Sequence, residues 1–288
     1  MTKDELVYRV QNYKFFRNNN VLFNPDEIYT PANDAQKEIM TSLRVVEGSC
    51  SLALASSQEE YTFTPITVTN ISSANPAILT VASHSFHTGD NVILNGSTSL
   101  DDEYEVTVVS TTSLSIPVSG AGQTAFGTLY HSMTQAFEVY QVRKTGTNYG
   151  RLDKKSSQEI DDAREDYGAS SAVAQINRYY ELFGDTYPLG VQGIPAVDGI
   201  VLNLRFYRTP LSFQEISSTV NPLLGAMYDR CLYLGTIKYY IENLESNETQ
   251  KIAYNESVQL FEAEKDRLRN IITEQRRPRP QGTRSFRL

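Results

Sequence analysis

Residues 66–130 read ITVTNISSANPAILTVASHSFHTGDNVILNGSTSLDDEYEVTVVSTTSLSIPVSGAGQTAFGTLY, and this stretch decides the fold class. It is rich in Thr, Ser, Val, Asn and Gly, and its short alternating runs are typical of half-buried strands. The candidate strands are TVTN, AILTV, DNVIL, YEVTVV and SLSIPV. The turn signals TGD at 88–90 and NG at 95–96 separate some of them. The pattern predicts a compact all-β module.

The residues before this module predict two helices and a pair of strands. A capping box at Thr2 and Glu5 opens the first helix, and apolar residues follow it at helical spacing. We expect a second helix from Thr30 to a stop near Gly48, with Pro31 at its first helical position. The stretch SLALASSQEEYTFTP then predicts a strand, a polar turn and a second strand.

The residues after the module return to mixed character. The segments AFEVYQVRK and GIVLNLRFYRTP predict strands, and a second capping box at 156–159 predicts a short helix up to Tyr167. Two long helices are predicted from Asn221 onward and over about 251–274. In the first helix a buried apolar stripe is expected, formed by Leu223, Met227, Leu234 and Ile237. In the second helix one face is expected to be shared by Val258, Phe261, Lys265 and Leu268.

This order of elements predicts an α+β protein with an interrupted domain. We expect a discontinuous helical-bundle domain with a small β-element over 1–64 and 134–274. The all-β, barrel-like module over 65–133 would be inserted in it, with its two ends close together, as is usual for insertions. An extended basic C-terminal tail would occupy 275–288.

Charge is segregated along the chain. The formal net charge is −8, yet the stretch EQRRPRPQGTRSFRL at 274–288 holds five arginines and no acidic residue after its first. Without those arginines the chain has 21 basic against 34 acidic residues, a formal charge of −13. Phosphate binding needs clustered Lys and Arg, so the body is unsuited to general nucleic-acid binding. An acidic surface could still let DNA slide past without adhering.

The basic tail has three interpretations. It could be a disordered solubilising segment, a contact with DNA phosphates, or an extended strand that docks in an acidic groove of a partner. In the docking interpretation the prolines forbid helix and lower the ordering entropy, the arginines pair with carboxylates, and the apolar residues at the end anchor it. The candidate docking residues are Arg276, Arg277, Pro278, Arg279, Pro280, Arg284, Phe286, Arg287 and Leu288.

No motif in the sequence indicates catalysis or a cofactor. A metal site could be imagined at His84, His87 and Asp90, but a structural turn is the favoured interpretation. Serine and cysteine nucleophiles lack an elbow sequence, and the glycine-rich stretches lack the lysine of a phosphate loop. Acidic pairs stand in polar runs that indicate a solvated surface. We therefore expect no enzyme, with no catalytic, cofactor-binding or metal-binding residue.

Two further expectations concern cysteines and location. Cys50 and Cys231 lie far apart outside any motif, so two buried free thiols are favoured over a disulfide. The first residues, MTKDELVYRV, place charge where a signal peptide would have an apolar core, and no stretch is long enough to span a membrane. We therefore expect synthesis in a bacterial host cytoplasm and no membrane partner.

The layout resembles the head-to-tail adaptor (connector, or head-completion) proteins of bacteriophages. The resemblance rests on ANDAQKEIMTSLRVVEG and LALASSQEEYTFT before the module, and on GIVLNLRFYRTPLSF, NPLLGAMYDRCLYLGTIKYY and YNESVQLFEAEKDRLRNII after it. The inserted module is separately similar to the small β-barrel of the first catalytic cysteine half-domain of ubiquitin-activating enzymes, through TNISSANPAILTVASHSFHTGDNVILNG and YEVTVVSTTSLSIP. No cysteine lies in this module, so ubiquitin chemistry is not implied.

The resemblance implies a structural protein of the virion neck. Such proteins form a ring, usually of twelve copies, beneath the portal, where they extend the DNA channel and offer the tail its attachment site. The implied partners are the portal protein through the C-terminal tail, neighbouring adaptor subunits, and tail or nozzle proteins. Genomic DNA would pass through without sequence-specific binding, repelled by an acidic lumen.

Two other functions remain as alternatives. The Thr- and Ser-rich module could bind carbohydrate or a cell surface, as a decoration of the capsid or tail. A wall-degrading glycosidase is the third hypothesis, and its only support is the abundance of acidic residues.

Overall fold

The computed structural model has a mixed α+β fold with a near-closed, barrel-like sheet of seven strands. It describes residues 1–18, 24–56, 58–145, 150–156, 158–159, 172–173, 178–181, 189–191, 194–195, 200–209, 212, 225–244 and 248–276. The chain divides into two compact units, and each is described by itself. The helical unit comprises Met1–Leu43 and Leu224–Leu288, and the β unit comprises Arg44–Leu223.

Five α-helices are described, all in the helical unit. They are α1 Lys3–Gln11, α2 Lys14–Asn18, α3 Pro25–Leu43, α4 Asp229–Glu242 and α5 Glu248–Arg276. The capping box predicted at the start of α1 is confirmed, because Thr2 and Glu5 exchange side-chain and backbone hydrogen bonds. The predicted first helix is divided in two at residues 12–13.

The predicted start of the second helix is wrong by five residues. The side chain of Asn24 accepts a hydrogen bond from the N–H of Asp26 (3.2 Å), which caps the helix, so Pro25 takes the first helical position. Pro31, which was expected at that position, lies inside α3. The sequence offers two prolines that suit a helix start, and the asparagine cap decides between them.

The end of α3 also differs from the prediction. The helix stops at Leu43 instead of near Gly48, because Arg44 adopts a left-handed backbone conformation with φ of 51°. Gly48 belongs to the first strand instead.

The core of the helical unit forms where α3, α4 and α5 pack together. Gly235 of α4 makes the close approach possible, because a Cβ there would lie 2.8 Å from both the Cβ of Ala35 and the ring of Phe261. Leu234 and Ile237 are buried as predicted, whereas Met227 is 39% exposed, because it lies in a short 3-10 turn before α4. Leu223 lies outside the described residues.

The predicted face of the last helix is largely confirmed. Phe261, Lys265 and Leu268 are buried along α5, and Val258 is half-buried. The helix itself is longer than expected, since it runs for 29 residues up to Arg276.

Sixteen strands are described, all in the β unit. They are β1 Glu47–Leu54, β2 Glu60–Tyr61, β3 Ile66–Ile71, β4 Ala77–Val81, β5 Asn91–Ser97, β6 Asp102–Glu105, β7 Thr107–Ser110, β8 Ser113–Ile116, β9 Phe126–His131, β10 Ala136–Lys144, β11 Asp153–Lys154, β12 Ala172–Val173, β13 Arg178–Glu181, β14 Leu189–Val191, β15 Ile194–Pro195 and β16 Ile200–Arg208. The capping-box hydrogen bonds between Ser156 and Glu159 are present, and residues 158–159 are helical. The rest of the predicted helix lies outside the described residues.

The β unit contains a three-stranded antiparallel sheet with the order β1-β16-β10. One side of this sheet is a buried core that includes Leu202, Leu204 and Phe206 of the central strand. Its core is continuous with that of a four-stranded sheet with the order β11-β13-β14-β2.

Side chains bind one backbone position on each outer edge of the three-stranded sheet. The N–H of Ser51 in β1 donates to Oδ1 of Asp90 (2.9 Å). On the other edge, the N–H of Val139 in β10 donates to Oε1 of Glu181 (2.7 Å), and the hydroxyl of Tyr179 donates to the carbonyl of Val139 (3.1 Å). Strand pairing with another chain is blocked at these two positions.

The seven-stranded sheet has the order β6-β5-β9-β3-β4-β8-β7 and closes around its own apolar core. Each predicted strand of the module is present, with YEVTVV split into β6 and β7 at Val106. The sequence pattern missed β9, which lies between β5 and β3. A glycine-rich stretch precedes β9, and Gly127 interrupts its alternation.

Candidate functional site

The predicted docking tail begins where α5 ends. Arg276 is the last residue of that helix, so it is helical and not extended. The other predicted docking residues lie outside the described part of the chain. The tail is therefore still a prediction for residues 277–288.

The helical unit contains a partly buried charged cluster that the sequence did not indicate. Glu38 of α3 accepts hydrogen bonds from Lys238 (2.9 Å) and Tyr239 (2.6 Å) of α4 and from Lys265 of α5. Burial raises the pKa of the Glu38 carboxyl, but these donors outweigh it and lower the pKa to about 2. Lys265 is also paired with Glu262. The cluster ties three helices together, and we assign it a structural role.

A second polar cluster lies where the barrel-like sheet meets the three-stranded sheet. Asp90 follows the turn before β5, and its carboxylate accepts from the N–H of Ser51 and from the N–H of His87 (2.7 Å). Burial raises the pKa of Asp90, while the two backbone donors oppose that shift. Oδ2 of Asp90 lies 3.9 Å from Nδ1 of His87 and 4.0 Å from Nε2 of His131.

His131 is the buried member of this cluster. Its Nδ1 accepts a hydrogen bond from the N–H of Met133 (3.1 Å), so the neutral ring carries its proton on Nε2. Among the described residues Nε2 has no hydrogen-bond partner. Burial lowers the pKa of His131 to about 3, so the ring is neutral at ordinary pH. The ring contacts Phe63 on one side and stacks on Phe86, with centroids 4.7 and 5.6 Å away.

An ion pair crosses the same junction. Nη2 of Arg208, the last residue of β16, donates to Oε1 of Glu103 in β6 (2.5 Å), and both side chains are about 95% buried. Asn91 donates to the same oxygen. Within the described residues, Nε and Nη1 of Arg208 and Oε2 of Glu103 have no partner. The junction therefore contains buried polar atoms that have no hydrogen-bond partner among the described residues.

A pocket of about 250 Å³ opens beside His131. It lies between β1, the segment that leads from β2 into β3, and the segment before β5. Its lining is formed by Ser51, Leu52, Ala53, Ala55, Gln58, Tyr61, Thr62, Phe63, Thr64, Ile66, Ser85, Phe86 and His131.

The histidines do not form the metal site that the sequence raised. His84 turns away, with Nε2 2.8 Å from the carbonyl of Ser110. His131 presents an N–H and not a lone pair toward Asp90, which is unsuited to ligating a metal. The described residues contain no group of three His, Cys, Asp or Glu side chains that could hold a metal ion.

Both cysteines are buried free thiols, as predicted. Burial raises the pKa of Cys50, with a further contribution from the nearby Asp90 carboxylate. Burial also raises the pKa of Cys231, to about 12. Neither thiol is therefore poised as a nucleophile. No helix in the described ranges has the length and apolar character needed to cross a membrane.

Comparison with protein families found no family model that matches the chain, and comparison with curated proteins found no similar one. The junction of Ser51, Asp90, His87 and His131 could not be found from the sequence either. Its members are separated by 36 to 80 positions except for the pair in the turn, and no spacing rule joins them. The one local signal was the Thr-Gly-Asp turn at 88–90. Its aspartate accepts hydrogen bonds from the backbone N–H groups of Ser51 and His87.

Proposed function

We propose that this chain is a structural neck protein of a tailed bacteriophage, a head-to-tail adaptor. It forms a homo-oligomeric ring beneath the portal, extends the DNA channel, and holds the portal through its basic tail. The ring has twelve copies, as the resemblance implies, and one heterologous interface repeated around an axis closes it.

The observation that carries the proposal is the relation between α5 and the tail. A 29-residue helix, tied to α3 through the partly buried Lys265–Glu38 pair, leads directly into a proline-interrupted segment with four further arginines. A helix anchored in this way and followed by a basic, proline-containing sequence is suited to docking in an acidic groove of a partner.

The distribution of exposed apolar side chains supports assembly through the helical unit. Five large hydrophobic residues are markedly exposed in the described part of the chain, and four of them belong to that unit. These four are Tyr8, Met227, Ile252 and Leu260. Side chains bound at one position on each outer edge of the three-stranded sheet disfavour strand pairing at those positions. We expect the subunit contacts to involve the helical unit.

Deletion of residues 277–288 tests the proposal. The cut follows the last residue of α5, so we expect the shortened protein to keep its helical content and its melting temperature. It should no longer co-migrate in size-exclusion chromatography with the portal protein of the same phage, whereas the full chain should. Portal binding that survives the deletion would refute the role of the tail.

Two sets of substitutions in the tail distinguish charge pairing from anchoring by apolar side chains. Replacing Arg277, Arg279, Arg284 and Arg287 with Gln keeps the prolines and the length, and should weaken portal binding at least tenfold. The Phe286→Ala and Leu288→Ala pair tests the anchor with the charge intact. A tail whose affinity is unchanged by both variants would be a solubilising segment only.

A further inference from the structure

The described residues that line the pocket beside His131 carry no formal charge. These thirteen residues include no Asp, Glu, Lys or Arg, and His131 is neutral because burial lowers its pKa to about 3. An ion that entered would lose its hydration without meeting an opposite charge in the lining. A ligand of this pocket is therefore a neutral molecule.

The lining nevertheless offers many hydrogen-bonding groups. Ser85, Thr62 and Thr64 present hydroxyls, and Gln58 presents an amide. In an antiparallel ladder, alternate residues direct their backbone groups to the same edge, so the N–H of Ala53 shares the outer edge of β1 with that of Ser51. Oδ1 of Asp90 occupies the Ser51 position only. The ligand should therefore carry several hydroxyl or carbonyl oxygens.

Aromatic rings form the remaining wall. Phe63, Phe86 and Tyr61 are all buried and line the pocket together with Ile66. Such walls suit the C–H faces of a sugar ring, whose edges carry hydroxyls. The volume of about 250 Å³ lies just below the roughly 300–1,000 Å³ that holds drug-sized ligands, so a single ring is accommodated and a long oligosaccharide is not.

We propose that this pocket binds a neutral, hydroxyl-rich ligand of monosaccharide size, with hydrogen bonds from the outer edge of β1 and from the hydroxyl and amide side chains of the lining. His131 contributes its ring to the wall of the pocket, since its fully buried Nε2 lies 4.0 Å from Oδ2 of Asp90. The inference is independent of the neck assignment, because the pocket lies wholly within the β unit.

Saturation-transfer NMR on the full chain tests this inference. The probes are glucose, galactose, mannose and N-acetylglucosamine, with glucuronate and glucosamine as charged counterparts of the same size. We expect transfer to at least one neutral sugar, with millimolar affinity, and none to the charged pair. The absence of transfer to every neutral sugar, or equal transfer to the charged ones, would overturn the inference.

A pair of matched variants locates the binding. Ser85 is exposed and lines the pocket, so Ser85→Phe should fill it and weaken sugar binding at least tenfold. Ser83 is exposed two residues earlier and does not line the pocket, so Ser83→Phe should bind like the unsubstituted protein. Melting curves of the two variants establish that both are folded. Equal binding by both would place any sugar elsewhere and contradict the inference.

Discussion

At the scale of single residues, Gly127 shows how one position can set the geometry of the barrel-like sheet. It has φ of 73°, and a Cβ there would lie 2.4 Å from the carbonyl oxygen of Asn95 and 2.8 Å from the backbone nitrogen of Ser97. Both atoms belong to the neighbouring strand β5, and backbone atoms in a paired strand cannot move aside cheaply. The glycine is thus required twice, for its backbone angle and for its lack of a side chain.

We predict that Gly127→Ala destabilises the protein by about 3 kcal/mol or more, since the left-handed angle alone costs about 1–2 kcal/mol for a non-glycine residue. Gly122→Ala is the matched control, because Gly122 has φ of 81° but nothing within 4 Å of the added Cβ. Gly122→Ala should lower the free energy of unfolding by only about 1–2 kcal/mol. Chemical unfolding monitored by circular dichroism measures both. Equal losses would show that the clash is relieved by movement of β5.

Glu38 leads to a prediction about acid stability. Its folded pKa is about 2, against an ordinary value of 4.5, so the folded state binds its proton more weakly than the unfolded state does. The stabilisation is complete above pH 4.5 and is lost as the pH falls toward 2. On the order of 2 kcal/mol should disappear in that window.

Glu38→Gln should remove this part of the acid dependence and lower stability at pH 7, because Lys238 and the buried Lys265 lose a carboxylate partner. Asp34→Asn, at an exposed position of the same helix, should change neither the acid dependence nor the stability at pH 7. Urea unfolding at pH 7, 4 and 3 distinguishes them. A Glu38→Gln protein with the same pH profile as the parent would contradict the assigned pKa.

At the scale of elements, alternation and capping identified most helices and strands. Where two local signals competed, hydrogen bonds and contacts with neighbouring residues decided where the helix or strand begins. Pro25 and Pro31 both suit a helix start, and only the cap by Asn24 selects the first. Strand β9 was not predicted because Gly127 interrupts its alternation of polar and apolar residues. The same glycine permits β9 to pair with β5.

The polar junction could not have been predicted in the same way. It joins Ser51, Asp90, His131 and the Arg208–Glu103 pair, which lie on separate strands and turns. Local patterns report on one element at a time, whereas such contacts depend on how two sheets meet. The pocket beside His131 was missed for the same reason.

The Arg208–Glu103 pair gives a prediction for this junction. Glu103→Gln leaves the buried guanidinium without a charged partner, and we expect a loss of about 3–5 kcal/mol. The double variant Arg208→Met with Glu103→Leu removes both charges and should recover most of that loss. Thermal unfolding of the single and double variants measures the difference. A double variant that is less stable than the single one would show that the pair is net stabilising at this site.

At the scale of the whole molecule, the charge segregation supports a prediction about salt. If the arginines after Arg276 dock by pairing with carboxylates, portal binding should weaken as salt screens them. The Debye length falls from about 10 Å at 0.1 M to about 3 Å at 1 M ionic strength. We expect at least a tenfold loss of affinity over that range in surface plasmon resonance. Affinity that rises or stays constant with salt would favour docking by Phe286 and Leu288 alone.

The central claim is that the chain forms the neck of a virion. A cryo-electron microscopy reconstruction of the neck of the phage that encodes it tests this claim most directly. The neck assignment predicts a ring of copies of this chain between portal and tail, with α5 leading the arginine-rich tail into the portal. Particles that lack the chain, or that carry it only on the capsid surface or tail fibres, would contradict the assignment.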